Sequence, residues 1–290
     1  MNAKIWLSAF RLRTLPLASA SIVLGSFLAA AQEQFSWKVA LLCFVTAILL
    51  QILSNLANDY GDSIHGADSK NRVGPKRATQ SGAIKPSAMR RAVLIFTGLC
   101  LAAGYILIRN ESLAFHAAGL AAIAAAVAYT AGPKPYGYVG LGDIFVFLFF
   151  GVIGVFGSYY LHTHSLDFAI LLPASACGLF SAGVLNVNNM RDRFSDEAAG
   201  KITIPVRLGE RRARIYHWLL LAGGILCAAG YAFLRYETAT QWLFLISVPL
   251  FWMNATGISR KQAAELDPYL RQLAITTLIF TLTFGIGGLL

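Results

Sequence analysis

A short acidic string occurs twice in this sequence, each time directly after a long apolar run. Residues 58–62 read Asn-Asp-Tyr-Gly-Asp, and residues 188–192 read Asn-Asn-Met-Arg-Asp. A further carboxylate follows each string, Asp68 after the first and Asp196 after the second. Acids at the mouths of apolar segments are costly and by default mark a functional site. Two such clusters suggest hard cations, bound through oxygen, that hold a phosphorylated substrate.

If each string continues the helix before it, its polar residues share one helical face. The spacings are i, i+4 and i+7 for Asn55, Asp59 and Asp62, and i, i+4 and i+8 for Asn188, Asp192 and Asp196. Carboxylate and amide oxygens suit Mg²⁺, which proteins typically hold with one or two carboxylates plus substrate phosphates. The predicted metal ligands are Asn55, Asp59, Asp62, Asp68, Asp192 and Asp196. The alternative is that these acids are loop residues paired with nearby arginines and lysines.

Basic residues close to the two acidic strings could bind the substrate as well as set the membrane topology. Lys201 and Arg207 follow the second string and Arg77 follows the first. Such cations can contact phosphate oxygens and offset the charge on a leaving group. Arg11 precedes the first apolar segment directly and can reach the same mouth. The alternative reading, that these residues only set membrane topology, applies to most of the basic residues.

A tyrosine-containing loop, residues 129–138, joins the fourth and fifth apolar segments, and Asp143 follows it by one helical turn. The ring face of a tyrosine can stabilise a developing carbocation, and we assign this role to Tyr129. Lys134 is the only basic residue of the loop and can bind an anionic acceptor. Tyr136 and Tyr138 are also explained by an interfacial tyrosine belt. The residues predicted to contact substrate are Arg11, Arg77, Lys134, Arg207, Asn58 and Asn188.

Composition indicates a polytopic membrane protein. Hydrophobic residues make up 57% of the 290 residues and charged residues only 13%. A spanning helix needs roughly 20 mostly apolar residues. Nine segments qualify, near 15–32, 39–56, 92–108, 112–130, 141–161, 168–185, 215–234, 240–256 and 273–290.

The distribution of basic residues predicts the orientation. With a cytoplasmic N-terminus, all but three of the 24 lysines and arginines face the cytoplasm, the exceptions being Lys38, Arg109 and Arg235. Both acidic strings then lie on the cytoplasmic side and the C-terminus lies outside. The net charge of +10 fits contact with anionic membrane lipids. Nucleic acid is not an expected partner, because the basic residues share loops with acids and lie against the membrane.

The chain is predicted to be a single transmembrane domain, residues 1–290, with an internal repeat. The acidic strings recur after the second and sixth apolar segments, so segments one to four and five to eight are predicted to be related halves. The polar stretches 57–91 and 186–214 are the only connections long enough to cap a site, and their charges favour a lid over a charged ligand.

Four stretches of the sequence resemble a known family. Residues 53–62, 136–143 and 184–192, together with Thr-Leu-Pro-Leu-Ala at 14–18, are similar to the UbiA superfamily of intramembrane prenyltransferases. Within it they resemble the branch that prenylates 1,4-dihydroxy-2-naphthoate. The resemblance spans nearly the whole chain. The sequence departs from the superfamily pattern at Asp68, which follows Asp62 after five residues rather than three, at Asn189, which stands where the first string has Asp59, and at Leu12, where many relatives have proline.

The resemblance implies an all-α fold of nine transmembrane helices around a central cavity, in the bacterial cytoplasmic membrane. It implies Mg²⁺-dependent transfer of a long prenyl chain from prenyl diphosphate to 1,4-dihydroxy-2-naphthoate, with loss of CO₂, to give demethylmenaquinol for menaquinone synthesis. Asp143 or Asp62 would accept a proton. The residues assigned to catalysis are Asp62, Asp192, Lys201, Tyr129 and Asp143.

Three alternatives stay open. One of them, a purely structural or lipid-scaffold protein, would not need paired acidic strings at all. A sister prenyltransferase acting on 4-hydroxybenzoate or haem would carry the same acidic strings. A cation-coupled transporter also uses repeats and intramembrane acids, but its acids should lie near the membrane midplane in broken helices. Prenyl chain length, the number of metal ions and the oligomeric state are not indicated by the sequence.

Overall fold

The computed structural model describes residues 3–66 and 73–290, and this part of the chain is helical, with no strand. Eleven helices are distinguished here: α1 (Ala3–Phe10), α2 (Leu15–Ala30), α3 (Trp37–Ile64), α4 (Pro86–Ile108), α5 (Leu113–Ala128), α6 (Gly142–Thr163), α7 (Phe168–Arg191), α8 (Arg193–Ala198), α9 (Ile204–Leu234), α10 (Ala239–Arg260) and α11 (Ala263–Leu289). The predicted all-α membrane fold is confirmed.

Each of the nine predicted apolar segments overlaps one helix, but not every helix is long enough to span a membrane. Among the described residues, α3, α4, α6, α7, α9, α10 and α11 have the required length and hydropathy. An eighth span arises if α1 and α2, which meet at 54°, count as one broken span. The helix α5 has only 16 residues, fewer than a straight crossing of the hydrocarbon core requires. The structure thus supports seven or eight spans by length, rather than the nine that were predicted.

Two large hydrophobic cores and a small third cluster, around Ile22, Cys43 and Leu161, hold the described part of the bundle together. The larger core joins α2, α6, α7, α9, α10 and α11, and its centre is aromatic: the Phe180 ring lies 4.2 Å from Phe251 and 4.9 Å from Phe280 between centroids. The smaller core joins α1, α3, α4 and α5 around Leu53 and Leu56. The cores divide nearly along the predicted halves, except that α2 packs with the second half. The internal repeat itself stays a prediction.

Small residues let neighbouring helices approach closely. At the contact of α6 with α7, a Cβ added to Gly151 would lie 2.6 Å from the carbonyl oxygen of Ala174 and 2.9 Å from Cα of Gly178. Such glycine contacts are typical of helix packing in membranes. Over Phe147–Gly157, α6 also widens to π-helical hydrogen bonding, which often accompanies functional sites.

The polar connections at one end of the bundle contact one another. The backbone N–H of Ile202, before α9, donates to the carbonyl oxygen of Tyr138, before α6 (2.9 Å). Arg214 of α9 donates through Nη2 to the carbonyl oxygen of Lys261, after α10 (2.9 Å). The C-terminal ends of α3 and α7, which carry the acidic strings, lie at this same end. It is therefore the end at which a site built from both strings can form.

Candidate active site

Asp62 is the centre of the first acidic string. Its carboxylate is 2% exposed and forms an ion pair with Arg77. The Tyr138 hydroxyl donates to Asp62 Oδ1 (2.9 Å), and Arg77 Nη1 also donates to the carbonyl oxygen of Asn58 (2.7 Å). A buried carboxylate is tolerated when it is paired and hydrogen-bonded, as here. Arg77, predicted to contact substrate, is thus placed directly beside the predicted metal ligand.

Lys201 lies between the two acidic strings. Its Nζ is 3.6 Å from Asp196 Oδ1, and it interacts electrostatically with Asp62. The same Nζ lies 5.9 Å from the centroid of the Tyr129 ring and 5.8 Å from that of Tyr138. These distances allow cation–π attraction. One lysine therefore pairs with the carboxylate that follows the second string, lies near two rings of the tyrosine loop and interacts electrostatically with the first string.

The two tyrosines keep their protons at neutral pH. Burial raises the pKa of the Tyr129 phenol far above its usual range, and the nearby charges of Asp143, Asp196 and Asp62 raise it further. Burial also raises the pKa of the Tyr138 phenol, with the adjoining Asp62 carboxylate adding to the shift. Tyr129 is thus close enough to three carboxylates for their charge to affect it, and Tyr138 remains a hydrogen-bond donor to Asp62.

The tyrosine loop reaches Asp62 because Gly61 has no side chain. A Cβ at Gly61 would lie 2.5 Å from the carbonyl carbon and oxygen of Thr130. The Thr130 hydroxyl sits within hydrogen-bonding distance of the Ala57 carbonyl oxygen (3.2 Å) and Asn58 Oδ1 (3.1 Å). The glycine of the first string is therefore a packing requirement, and Asn58 serves to hold the loop.

Replacing Gly61 by alanine is expected to lower the free energy of unfolding by about 1–3 kcal/mol, because the new methyl group overlaps the Thr130 backbone. Gly98→Ala in α4 is the matched control, since no atom lies within 4 Å of its added Cβ. Alanine there should leave stability unchanged or raise it by up to about 1 kcal/mol. Thermal unfolding in detergent measures both, and equal midpoints for the two variants would contradict the close approach.

In the second string, Asp192 pairs with its neighbour Arg191. Arg191 Nε donates to Asp192 Oδ1 (2.9 Å) and Nη2 to Oδ2 (2.7 Å), a two-pronged pair that is almost fully buried. Nη2 also donates to Asn188 Oδ1 (2.9 Å), and Nη1 to Asp267 Oδ1 at the start of α11 (2.5 Å). Asn188 thus orients Arg191. Neither Arg191 nor Asp267 was singled out from the sequence.

The two strings are linked through their loops. A Cβ at Gly74, in the loop after α3, would lie 2.7 Å from Nη2 of Arg191, so this loop packs directly on the second string. The backbone N–H of Asp196 donates to the carbonyl oxygen of Asp192 (2.9 Å), which connects Asp192 to the Asp196–Lys201 pair. Asp62 and Asp192 consequently lie at the same end of the bundle.

The other residues predicted as metal ligands have protein partners. The Asp59 carboxylate accepts hydrogen bonds from the backbone N–H groups of Ala78 (3.1 Å) and Thr79 (3.2 Å) and from the Thr79 hydroxyl. Asn55 Nδ2 donates to the carbonyl oxygen of Phe10 (2.9 Å) and so ties α1 to α3. Asp68 lies outside the described residues.

The remaining predicted site residues differ in placement. Asp143 is buried and accepts a hydrogen bond from the Tyr216 hydroxyl (3.3 Å), a partner that the sequence did not indicate. Arg207 is exposed and donates through Nη2 to the carbonyl oxygen of Val139 (2.7 Å), so it fastens the tyrosine loop. Lys134 is exposed, and Arg11 adopts a left-handed backbone conformation (φ 51°) between α1 and α2.

The carboxylate and amide oxygens of the two strings suit a hard divalent cation that is also bound by oxygens of a ligand. Among residues 3–66 and 73–290, no three His, Cys, Asp or Glu side chains are grouped closely enough to hold a metal by themselves. Asn189 Oδ1 is buried and accepts no hydrogen bond from any described residue, so it offers a further oxygen beside Asp192. Such sparse oxygen sets are typical of Mg²⁺ that is held jointly with substrate phosphates.

The chain is similar over nearly its whole length to several known enzymes. The 1,4-dihydroxy-2-naphthoate octaprenyltransferases of Haemophilus influenzae and Escherichia coli are 43% and 44% identical to this chain, over 99% of it and over 96% and 95% of their own lengths. The enzyme of that name from Mycobacterium tuberculosis is 38% identical over 96% of this chain and 94% of its own.

Solved structures share the fold. A UbiA homologue from Aeropyrum pernix superposes with a TM-score of 0.69 at 16% identity, covering 95% of both chains. A UbiA homologue from Archaeoglobus fulgidus, bound to GPP and Mg²⁺, superposes with a TM-score of 0.65 at 20% identity. The match covers 97% of this chain and 99% of that chain. The model of the UbiA prenyltransferase family matches residues 19–285. This multi-pass membrane protein belongs to the UbiA prenyltransferase family.

Proposed function

We propose that this chain transfers a long prenyl chain from prenyl diphosphate to 1,4-dihydroxy-2-naphthoate, with loss of CO₂, giving demethylmenaquinol for menaquinone synthesis. One observation carries the proposal. This chain is 38–44% identical, over nearly its whole length, to enzymes named 1,4-dihydroxy-2-naphthoate octaprenyltransferase. The ion pairs of Asp62 with Arg77, of Asp192 with Arg191 and of Asp196 with Lys201 at one end of an apolar bundle support the proposal, since a diphosphate with a prenyl tail needs both a polar and an apolar environment.

Mg²⁺ is the proposed cofactor. Asp62, Asp192 and Asp196 would hold it, with Asn189 as a further oxygen donor in the second string. When bound, the ion neutralises the charge that accumulates on the departing diphosphate. The UbiA homologue from Archaeoglobus fulgidus that binds GPP together with Mg²⁺ supports this assignment through the shared fold. Asp59 and Asn55 support the site indirectly, because their contacts hold the loop after α3 and the N-terminal helix in place.

The chain's own side chains provide the remaining chemistry. Lys201 and Arg77 would bind the diphosphate oxygens as the C–O bond of the prenyl diphosphate breaks. The ring faces of Tyr129 and Tyr138 stabilise the allylic cation, and the surrounding apolar helices keep water away from it. The ring carbon of the naphthoate that bears the carboxylate then forms the new C–C bond, and loss of CO₂ returns an electron pair to the ring. Asp143 is the proposed acceptor of a naphthol hydroxyl proton while the new bond forms, and it returns that proton to the oxygen once CO₂ has left.

The proposed orientation places the N-terminus and the active site in the cytoplasm and the C-terminus outside. It is supported by the concentration of lysines and arginines in the loops at the end of the bundle where the acidic strings lie. A prenyl diphosphate would present its charged head to these loops, while its tail extends between the helices.

The decisive experiment combines purified protein, Mg²⁺ and a prenyl diphosphate with 1,4-dihydroxy-2-naphthoate labelled in its carboxylate carbon. We expect labelled CO₂ and an unlabelled lipid-soluble product in equal amounts. Chelation with EDTA should abolish both, and added Mg²⁺ should restore them. A preference for 4-hydroxybenzoate would overturn the proposed acceptor, whereas undiminished turnover in EDTA would overturn the proposed cofactor.

A further inference from the structure

A cavity outside the acidic site lies between the start of α9 and the end of α10. Its volume is about 510 Å³, and it is lined by Glu210, Arg211, Arg214, Ile215, Trp218 and Ser259. Arg211, Arg214 and Trp218 are spaced i, i+3 and i+7, so α9 presents one face that is cationic at its start and aromatic one turn later. The reaction proposed above does not use this cavity.

Arg214 supplies a donor that lacks an acceptor. Its Nη2 donates to Glu210 Oε1 (2.7 Å) and to the carbonyl oxygen of Lys261 (2.9 Å). Its Nε is buried and donates to no acceptor in residues 3–66 or 73–290. A buried N–H of a charged group without an acceptor is energetically unfavourable. An anionic oxygen in the cavity would remove this cost.

The charge around the cavity favours an anion. Glu210 is its one acidic lining residue, and Arg214 already pairs with it. Arg211 remains exposed at the rim. Gly209 has φ 72° and ψ 171°, so α9 restarts after it, and the positive end of the restarted helix lies beside the cavity.

The surroundings of the cavity are apolar and face outward from the bundle. Ile215, Trp252 and Met253 are 52%, 61% and 61% exposed. Trp218 packs edge-on against Trp252 (4.9 Å between centroids), and its Nε1 donates to Ser259 Oγ (3.4 Å). Tryptophans in such places are typical of the membrane–water interface. An occupant therefore needs an anionic head and apolar chains.

We propose that this cavity binds the phosphate headgroup of an anionic phospholipid from the membrane leaflet next to the acidic site. The phosphate accepts from Arg214 Nε and from Arg211, and the acyl chains run along Trp218 and Trp252. Basic residues at the cytoplasmic membrane surface attract anionic lipids in general. The unsatisfied Arg214 donor makes this a specific site rather than diffuse attraction.

The test is lipid binding by the full-length, delipidated protein in a nonionic detergent. Short-chain phosphatidylglycerol and phosphatidylcholine are titrated separately, and bound lipid is counted by native mass spectrometry. We expect phosphatidylglycerol to bind about tenfold more tightly, because both lipids carry the phosphate but the choline cation of phosphatidylcholine is repelled by Arg211 and Arg214. Arg214→Gln and Arg211→Gln should each lose about that factor. Arg212→Gln is the matched control, because it removes the same charge from an exposed neighbour that does not line the cavity.

Three results would overturn the proposal: equal affinity for the two lipids, an equal loss in Arg212→Gln, or displacement of phosphatidylglycerol by inorganic phosphate at similar concentration. The last would identify the site as one for a free anion. If Arg214→Gln does not fold, Arg211→Gln decides, since Arg211 is exposed. No step measures prenyl transfer, so this test is independent of the proposed reaction.

Discussion

Replacing Asp62 by asparagine is expected to reduce prenyl transfer by about a thousandfold, the loss typical of removing a central electrostatic group from an active site. The amide is the same size as the carboxylate, but it lacks the charge that would bind Mg²⁺ and pair with Arg77. Product formation with saturating Mg²⁺ measures the effect. Asp192→Asn should reduce turnover similarly, since Asp192 occupies the matching position of the second string.

The expected loss of turnover in Asp62→Asn must be distinguished from a loss of protein stability. Removing one partner of a buried ion pair typically costs about 3–5 kcal/mol, because the other charge stays buried. Asp62→Asn should therefore also lower the thermal midpoint, and the double variant with Arg77→Gln should recover much of that loss without recovering activity. Asp167→Asn is the matched control at the opposite end: its pair with Arg235 is partly exposed, so activity should be unchanged. Wild-type-like turnover in Asp62→Asn would refute the assignment of Asp62.

The sequence was sufficient to predict the membrane class and the family, because both depend on signals that survive without a structure. Long apolar segments and the excess of basic residues on one side follow from the physics of the bilayer. The recurrence of an acidic string after two such segments predicted that residues 130 positions apart, Asp62 and Asp192, contribute to one site. That shared site stays a prediction, and the packing of Gly74 on Arg191 brings the loop after the first string onto the second string.

The hydrogen-bond partners of the polar residues in the first string could not be predicted from the sequence, because they depend on how the loops and neighbouring helices pack. Helical spacing correctly relates Asn55, Asp59 and Asp62 to one another, but it does not say what packs against that face. The segment after α3 turns back and presents its backbone N–H groups to Asp59, while α1 presents a carbonyl oxygen to Asn55. Three residues on one helical face thus make three different contacts: Asn55 donates to a backbone carbonyl oxygen, Asp59 accepts from backbone N–H groups, and Asp62 pairs with Arg77.

Tyr138 illustrates the same limit. From the sequence, an interfacial tyrosine belt explained it adequately, and only the close packing at Gly61 brings its hydroxyl to Asp62. The number of spans was overestimated for a related reason. Hydropathy identifies an apolar segment, but the length that becomes helical depends on where the turns fall, and at α5 only 16 residues do so.

Arg191 is the second residue at which we expect a large effect, and here the effect is on stability. Its side chain is almost fully buried. It bonds to Asn188 and Asp192 at the end of α7 and to Asp267 on α11, and so bridges the two helices. Arg191→Gln should lower the free energy of unfolding by about 3–5 kcal/mol, because two carboxylates lose a shared cation. Asp267→Asn should cost less, since the Asp267 side chain is 35% exposed and water compensates part of the loss.

A double-mutant cycle tests whether Arg191 acts as a bridge rather than as a partner of Asp192 alone. Thermal unfolding in detergent is measured for Arg191→Gln, Asp267→Asn and the double variant. If the bridge exists, the double variant is more stable than the sum of the two losses predicts, by about 0.5–3 kcal/mol. Strict additivity would mean that α11 is not coupled to the second string through Arg191. Coupling would mean that the second string is positioned by a helix some 75 residues further along the chain, a dependence that its own sequence does not reveal.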